Sequence, residues 1–158
     1  MVAIHVDASY IFMEPMKKRT SGHMVETYQR IHRRMTAAGL GVKKHYLDNE
    51  ASEEYKTAIR ENECEVERVA PDNHRCNIAE RAIQTAKDHL VSVLAGADVS
   101  FPMHLWCRLL VHAELQLNLQ RMSNMAPKVC AYVQHNFMKR LFAPLGCPVQ
   151  IHSKPGNR

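Results

Sequence analysis

The stretch from Tyr46 to Lys87 alternates strand-like and helix-like segments, and it limits the fold more than any other part of the chain. A short apolar approach, His45-Tyr46-Leu47, predicts a buried strand that ends at Asp48. Residues 51–61 have a helical pattern, and residues 66–70 can form a second short strand. This succession of strand, helix and strand predicts an α/β arrangement with Asp48 at a strand end.

A polar loop at 71–75 comes next, because Pro, Asn and Asp fix turns locally, and a helix follows it. Its apolar residues recur at helical spacing on one face: Ile78, Ala79, Ala82, Ile83, Ala86, Leu90, Val93 and Leu94. Glu80, Gln84 and Lys87 fall on the opposite face. The sequence therefore places one carboxylate at a strand end and a second carboxylate, with a lysine, on a helix face.

The remaining segments also read as short strands and helices. Strands are predicted at 2–7, 10–13, 42–47 and 64–69, and further helices after Thr20 or Ser21, from Pro102 to about Met122, and from Pro127 to His135. The first two strands predict an antiparallel hairpin. Leu105 and Trp106 are expected on the apolar surface with which the helix after Pro102 packs against its neighbours. We predict an α/β domain with a mixed sheet over residues 1–143, and a weakly ordered exit over 144–158.

Composition excludes several classes of protein. The chain has 158 residues, enough for one domain with a proper core, and no apolar run approaches the length of a membrane span. The N-terminus lacks the pattern of a signal peptide. The five cysteines are scattered and never form a C-x-x-C pair, which predicts reduced thiols and no zinc finger. We therefore expect an intracellular protein, nuclear or cytoplasmic.

The net charge of +5 and the pI near 9.0 favour a polyanionic partner such as DNA. Basic clusters lie at 17–19, 30–34 and 43–45, all in the first third of the chain. Two interpretations of these clusters stay open. They contact phosphate, or they are the solvated faces of a helix and its flanking turns.

Asp48 and Glu80 are the candidate catalytic residues and metal ligands. Two-metal phosphoryl transfer needs carboxylates that hold two divalent ions about 3.5–4 Å apart, and Mg²⁺ takes oxygen ligands. A strand-end Asp and a Glu in the first turn of a helix suit Mg²⁺ or Mn²⁺. The alternative is purely structural: Asp48 caps the helix at 51, and Glu80 complements the positive end of its own helix.

At these residues the chain resembles the integrase core of copia-type retrotransposons, relatives of retroviral integrases with a ribonuclease H-like fold. The matching residues are Leu47-Asp48-Asn49-Glu50, Pro71, Asn77-Ile78-Ala79-Glu80-Arg81, Leu105-Trp106, Leu117-Asn118-Leu119-Gln120-Arg121 and Pro127-Lys128. The resemblance implies a mixed sheet flanked by helices, and a protein that binds DNA and integrates it by two-metal chemistry.

Carried over by residue, the resemblance makes Asp48 and Glu80 the second and third members of the family's D-D-E triad. It implies DNA contact by Lys87, phosphate contact by Arg81, and shaping of the loop by Asn77. The chain departs from the family pattern in the first triad position. Either Asp7 fills it, or, as we favour, the opening strand is absent and Met1 begins inside the domain.

The missing carboxylate predicts that this chain binds DNA without joining it, and the unpaired strand edge is compatible with a homo-oligomer. The alternative is a non-catalytic DNA-binding or protein-interaction module on the same fold. Both readings keep DNA or protein as the partner and exclude a membrane.

Overall fold

The computed structural model describes residues 1–47, 51–68, 78–119, 121 and 147. The strands are β1 (Val2–His5), β2 (Tyr10–Met13), β3 (Lys44–Leu47) and β4 (Glu65–Arg68). The helices are α1 (Ser21–Ala37), α2 (Glu53–Glu61), α3 (Ile78–Ala95) and α4 (Trp106–Leu119), with a 3₁₀ turn at Met103–Leu105. The α/β class is confirmed. The predicted helix at Pro127 and the tail from 144 lie outside the described residues, apart from Cys147.

The described strands form two separate sheets rather than the single mixed sheet we predicted. β1 and β2 are antiparallel, with Val2 opposite Met13 and His5 opposite Tyr10. β3 and β4 are parallel, joined through α2 as a crossover. The antiparallel and the parallel pairing expected of a mixed sheet are therefore both present, but in different sheets. Within the described residues, no strand lies between the two pairs to join them by hydrogen bonds.

The hairpin β1–β2 is buried on both faces. Ile11 and Met13 point to one side, where α3 and α4 contribute Ala82, Ala86, Leu110 and Leu117. Phe12 points to the other side, where it packs with Ile31 and Met35 of α1. Successive residues of a strand alternate between faces, so a four-residue strand can serve two layers at once. The hairpin is thus the central layer between α1 and the α3–α4 pair.

A second core lies where α2 packs between α1 and the β3–β4 pair. It consists of Tyr28, Tyr55, Ala58, Ile59 and Cys64. α2 begins at Glu53, two residues later than the pattern from 51 predicts, because the hydroxyl of Ser52 accepts the backbone N–H of Tyr55 at 3.3 Å and caps the first turn. This core supports β3, the strand that leads directly to Asp48.

Side chains of α4, together with Arg121 just beyond it, close the outer edge of β2 and the turn before it. The amide of Asn118 pairs with Ile11 as a neighbouring strand would, accepting from its N–H and donating to its carbonyl, both at 2.8 Å. Glu114 accepts the N–H of Met13 at 2.7 Å, and Arg121 donates to the carbonyl of Ser9 at 2.6 Å. An open strand edge is a template for aggregation. Asn118 and Arg121, two of the residues on which the resemblance to integrases rests, thus have a structural role.

Two predicted apolar faces are wrong in part. Trp106 is 43% exposed and Leu105 is also exposed, although both were expected on the packed apolar surface of this helix. The reason is that α4 begins only at Trp106, and its side toward β2 carries the buried polar pair Glu114 and Asn118. On α3, Ile78 and Ile83 are exposed because the buried stripe is narrow, following Ala82, Ala86 and Val93.

Candidate nucleic-acid interface on α3

The exposed face of α3 carries the residues that the sequence placed there. Glu80, Arg81, Gln84 and Lys87 are all exposed, while Ala82 and Ala86 on the opposite face pack against the hairpin. The predicted division of this helix into a buried and an exposed face is therefore confirmed for these residues. Glu80 lies in the first turn, where the helix dipole favours a carboxylate.

The structure places only part of the predicted site. Glu80, Arg81 and Lys87 share α3, whereas Asp48 and Asn77 lie outside the described residues. β3 ends at Leu47, the residue before Asp48, so a strand does lead to this aspartate, but it is not the buried strand that the sequence predicts, because Tyr46 is 56% exposed. The convergence of Asp48 and Glu80 on one metal ion remains a prediction.

Asp7 lies in an exposed tight turn rather than within a strand. The turn is closed by the N–H of Ser9, which donates to the carbonyl of Val6 at 3.0 Å, and Ser9 itself has a positive φ of 51°. The N–H of Ala8 donates to the ring of His5 at 3.2 Å. β1 ends at His5, earlier than the sequence pattern predicts, which leaves Asp7 in the connection between the two strands of the hairpin.

Part of the positive charge near the N-terminus serves the fold. Arg30 donates to Glu14 at 2.8 Å and to Glu26 at 2.9 Å, and Arg34 pairs with Glu14 at 3.1 Å and with Glu114. The guanidinium of Arg34 also lies 5.4 Å from the centre of the Phe12 ring. Charges held in this way are less available to phosphate. For Arg30 and Arg34 these ion pairs within the fold are a role that neither interpretation of the basic cluster predicted.

A second group of chemically active side chains lies in the α2 core and was not foreseen. The group consists of His32 of α1, His45 of β3 and Cys64, the residue before β4. Each offers one atom that can bind a metal ion, and these three atoms all lie within 4.8 Å of one another. The sequence predicted no zinc finger because its cysteines never form a C-x-x-C pair, and it gave no sign of this group. Only the pairing of β3 with β4, and the packing of α1 against them, brings the three together.

The pKa values in this cluster reflect burial. Desolvation, with a smaller contribution from neighbouring His32, lowers the pKa of His45 to about 4. Burial raises the pKa of the Cys64 thiol, while a hydrogen bond with the Tyr28 hydroxyl opposes that increase. Burial raises the pKa of Tyr28 itself to about 12. At neutral pH the His45 ring is therefore uncharged and keeps a lone pair.

Comparison with known proteins adds no family assignment. No protein-family model matches the chain, and no curated protein matches it. None of the described helices is long and apolar enough to cross a lipid bilayer.

Proposed function

We propose that this chain is a ribonuclease H-like domain of the integrase-core type that binds DNA through the exposed face of α3. Asp48 and Glu80 would hold Mg²⁺ or Mn²⁺ beside the bound phosphates. The observation that carries the proposal is the order of the elements around these residues. A hairpin and a helix precede a strand leading to Asp48, and a parallel strand and a long helix carrying Glu80 follow it.

The face of α3 has the chemistry that a DNA backbone requires. Arg81 and Lys87 are exposed cations on the helix that carries Glu80, and Lys87 lies about two turns beyond Glu80. Phosphate contacts of this type position a protein on DNA without reading its sequence. A carboxylate beside them recruits a divalent ion, because Mg²⁺ combines carboxylate oxygens with substrate phosphates.

We expect the 158-residue chain to bind DNA without joining its ends. Before Asp48 the acidic residues are Asp7, Glu14 and Glu26. Glu14 is paired with two arginines, Glu26 with Arg30, and Asp7 lies in the hairpin turn. None of the three stands on a strand beside β3. A two-metal site with one carboxylate missing loses stabilisation of the attacking or leaving oxygen.

A protein-interaction module is the second candidate, and one observation favours it. Met103, Leu105 and Trp106 are exposed together at the start of α4. Tryptophan and methionine are enriched at interfaces between proteins, including those between identical subunits. In this reading α3 would be a solvated surface, and the chain would bind a protein, or a second copy of itself, through the beginning of α4.

Binding to duplex DNA should weaken steeply with salt, and Lys87→Ala should reduce that dependence. Each neutralised phosphate contributes about −0.9 to the slope of log K against log salt, so losing one contact flattens the slope by about one unit. The loss of affinity should be similar for unrelated DNA sequences, since the contact is to phosphate. Fluorescence anisotropy with two unrelated duplexes over a series of salt concentrations measures both effects.

Arg60→Ala is the matched control for that experiment. Arg60 is an exposed cation on α2, a different surface from that of α3. The Arg60→Ala substitution removes the same unit of positive charge as Lys87→Ala, and it should leave the slope of log K against log salt almost unchanged. Equal effects of the two substitutions would mean that α3 is not the DNA-binding face, and binding that ignores salt would contradict the phosphate contact altogether.

A further inference from the structure

Two buried imidazole nitrogens in the α2 core have no hydrogen-bond partner within the described part of the chain. They are Nδ1 of His32 and Nε2 of His45. Buried polar atoms in folded proteins are nearly always paired, so two unpaired nitrogens on histidines of one cluster call for an explanation. The thiol of Cys64 completes the group: one ring nitrogen of each histidine and the Cys64 sulfur all lie within 4.8 Å of one another.

We propose that His32, His45 and Cys64 form a binding site for Zn²⁺. Neutral imidazole nitrogen and thiolate sulfur are the ligands that Zn²⁺ prefers. This donor set does not suit Mg²⁺ or Mn²⁺, which take oxygen ligands. The site is therefore distinct in chemistry from a carboxylate centre at Asp48 and Glu80, and it stands whether or not the chain binds DNA.

The geometry is close to that of a zinc site. Zn–N bonds of about 2.0–2.1 Å and a Zn–S bond of about 2.3 Å, at tetrahedral angles, place ligand atoms roughly 3.3–3.6 Å apart. The observed separations, up to 4.8 Å, require the ligand atoms to approach one another by as much as about 1.2–1.5 Å around the ion. Three protein ligands leave the fourth position for water.

Binding exchanges the thiol proton for the metal. The Cys64 thiol now donates toward the carbonyls of Val42, at 3.2 Å, and Asn62, at 3.3 Å. When Zn²⁺ binds, the S–H bond breaks, the proton leaves to solvent, and the thiolate keeps the electron pair that forms the Zn–S bond.

Tyr28 supports the site from outside the ligand set. Its ring centroid lies 5.7 Å from that of His32 and 5.4 Å from that of His45, so it limits the orientation of both imidazoles. Its hydroxyl interacts with the Cys64 sulfur and accepts from Asn62 at 3.4 Å. A hydrogen bond from that hydroxyl would stabilise the thiolate, as partners around metal ligands commonly do.

Competition titration of the full chain with Zn²⁺ and a chromophoric chelator tests the proposal. We expect one tightly bound Zn²⁺ per chain and a higher Tm with metal. Cys64→Ser and His45→Gln should each weaken binding by at least about 100-fold, since loss of even a supporting partner costs 10–100-fold. Cys107→Ser and His89→Gln are the controls. Cys107 is a free thiol, and His89 has a buried unpaired nitrogen outside the cluster.

Co²⁺ bound to the wild-type chain gives a second readout that does not depend on whether the variants fold. A tetrahedral site with a thiolate produces strong visible bands and a sulfur-to-cobalt charge-transfer band. The proposal is overturned if the folded wild type shows neither band. It is also overturned if folded Cys64→Ser binds Zn²⁺ as tightly as the wild type, or if the Cys107→Ser and His89→Gln controls lose binding equally.

Discussion

Glu114→Ala should lower the free energy of unfolding by about 1–3 kcal/mol, the range expected when a buried hydrogen-bond donor loses its acceptor. Glu114 is only 2% exposed. It accepts hydrogen bonds from the Tyr10 hydroxyl at 3.0 Å and the Met13 N–H at 2.7 Å, and it pairs with Arg34. The substitution leaves the Met13 N–H buried without its acceptor, which costs the full desolvation of that group. Urea denaturation followed by circular dichroism measures the loss.

Two further variants locate the origin of that effect. Glu26→Ala also removes a carboxylate paired with an arginine, but Glu26 is 65% exposed at its side chain, so the cost should stay below about 1 kcal/mol. Glu114→Gln keeps an acceptor for Met13 and should fall between the two. If Glu114→Ala and Glu26→Ala destabilise equally, α4 does not hold the edge of β2 as described.

Ile59→Ala should lower the free energy of unfolding by about 2–5 kcal/mol, the range for truncating a buried isoleucine. Ile59 is fully enclosed, at 0% exposure, and packs in the core formed by α1, α2 and Cys64. The lost methyl and methylene groups leave a cavity between α2 and the β3–β4 pair. The same denaturation measurement applies, with the m-value showing whether unfolding stays cooperative.

A graded series provides the control for Ile59. Ile59→Val removes one methylene and should cost about 0.5–1.5 kcal/mol. Ile83→Ala removes the same atoms as Ile59→Ala from a position on α3 that is 37% exposed, and its cost should stay clearly lower, at about 1 kcal/mol. A loss at Ile83 as large as that at Ile59 would contradict the placement of the core.

The hairpin and the helices could be predicted from sequence because their signals are local. The β2 strand at Tyr10–Met13 was predicted to the residue, and the helix after Thr20 begins at Ser21. The capping detail was less predictable. Ser52 does cap α2 with its hydroxyl, while the side chain of Thr20 makes no capping bond and instead contacts the ring of His23 at 2.7 Å.

The arrangement of the strands could not be predicted, because pairing depends on contacts between distant residues. The sequence indicates four strands but does not state that β1–β2 and β3–β4 stay separate within the described residues. Glu114 and Asn118 likewise read as ordinary polar positions of a helix. Their burial becomes intelligible only once α4 is seen to lie along the edge of β2, with their side chains bonded to its backbone.

The candidate site, like the fold, could be predicted from the sequence only where the signal is local. Helical periodicity alone placed Glu80, Gln84 and Lys87 together on the exposed face of α3, and the structure confirms it. Neither periodicity nor spacing could reveal the cluster of His32, His45 and Cys64, because its members come from three elements. For Asp48 and Asn77, the assigned roles remain predictions from the resemblance to integrases.

The central claim is that Asp48 and Glu80 together hold a divalent ion, and a Mn²⁺ titration tests it most directly. Electron paramagnetic resonance of free Mn²⁺ should show weak binding to the wild-type chain, since two carboxylates hold such an ion loosely without substrate phosphates. Asp48→Asn and Glu80→Gln should each remove this binding, while Asp88→Asn, an exposed carboxylate further along α3, should retain it. Identical titration curves for the wild type, Asp48→Asn and Glu80→Gln would contradict the claim.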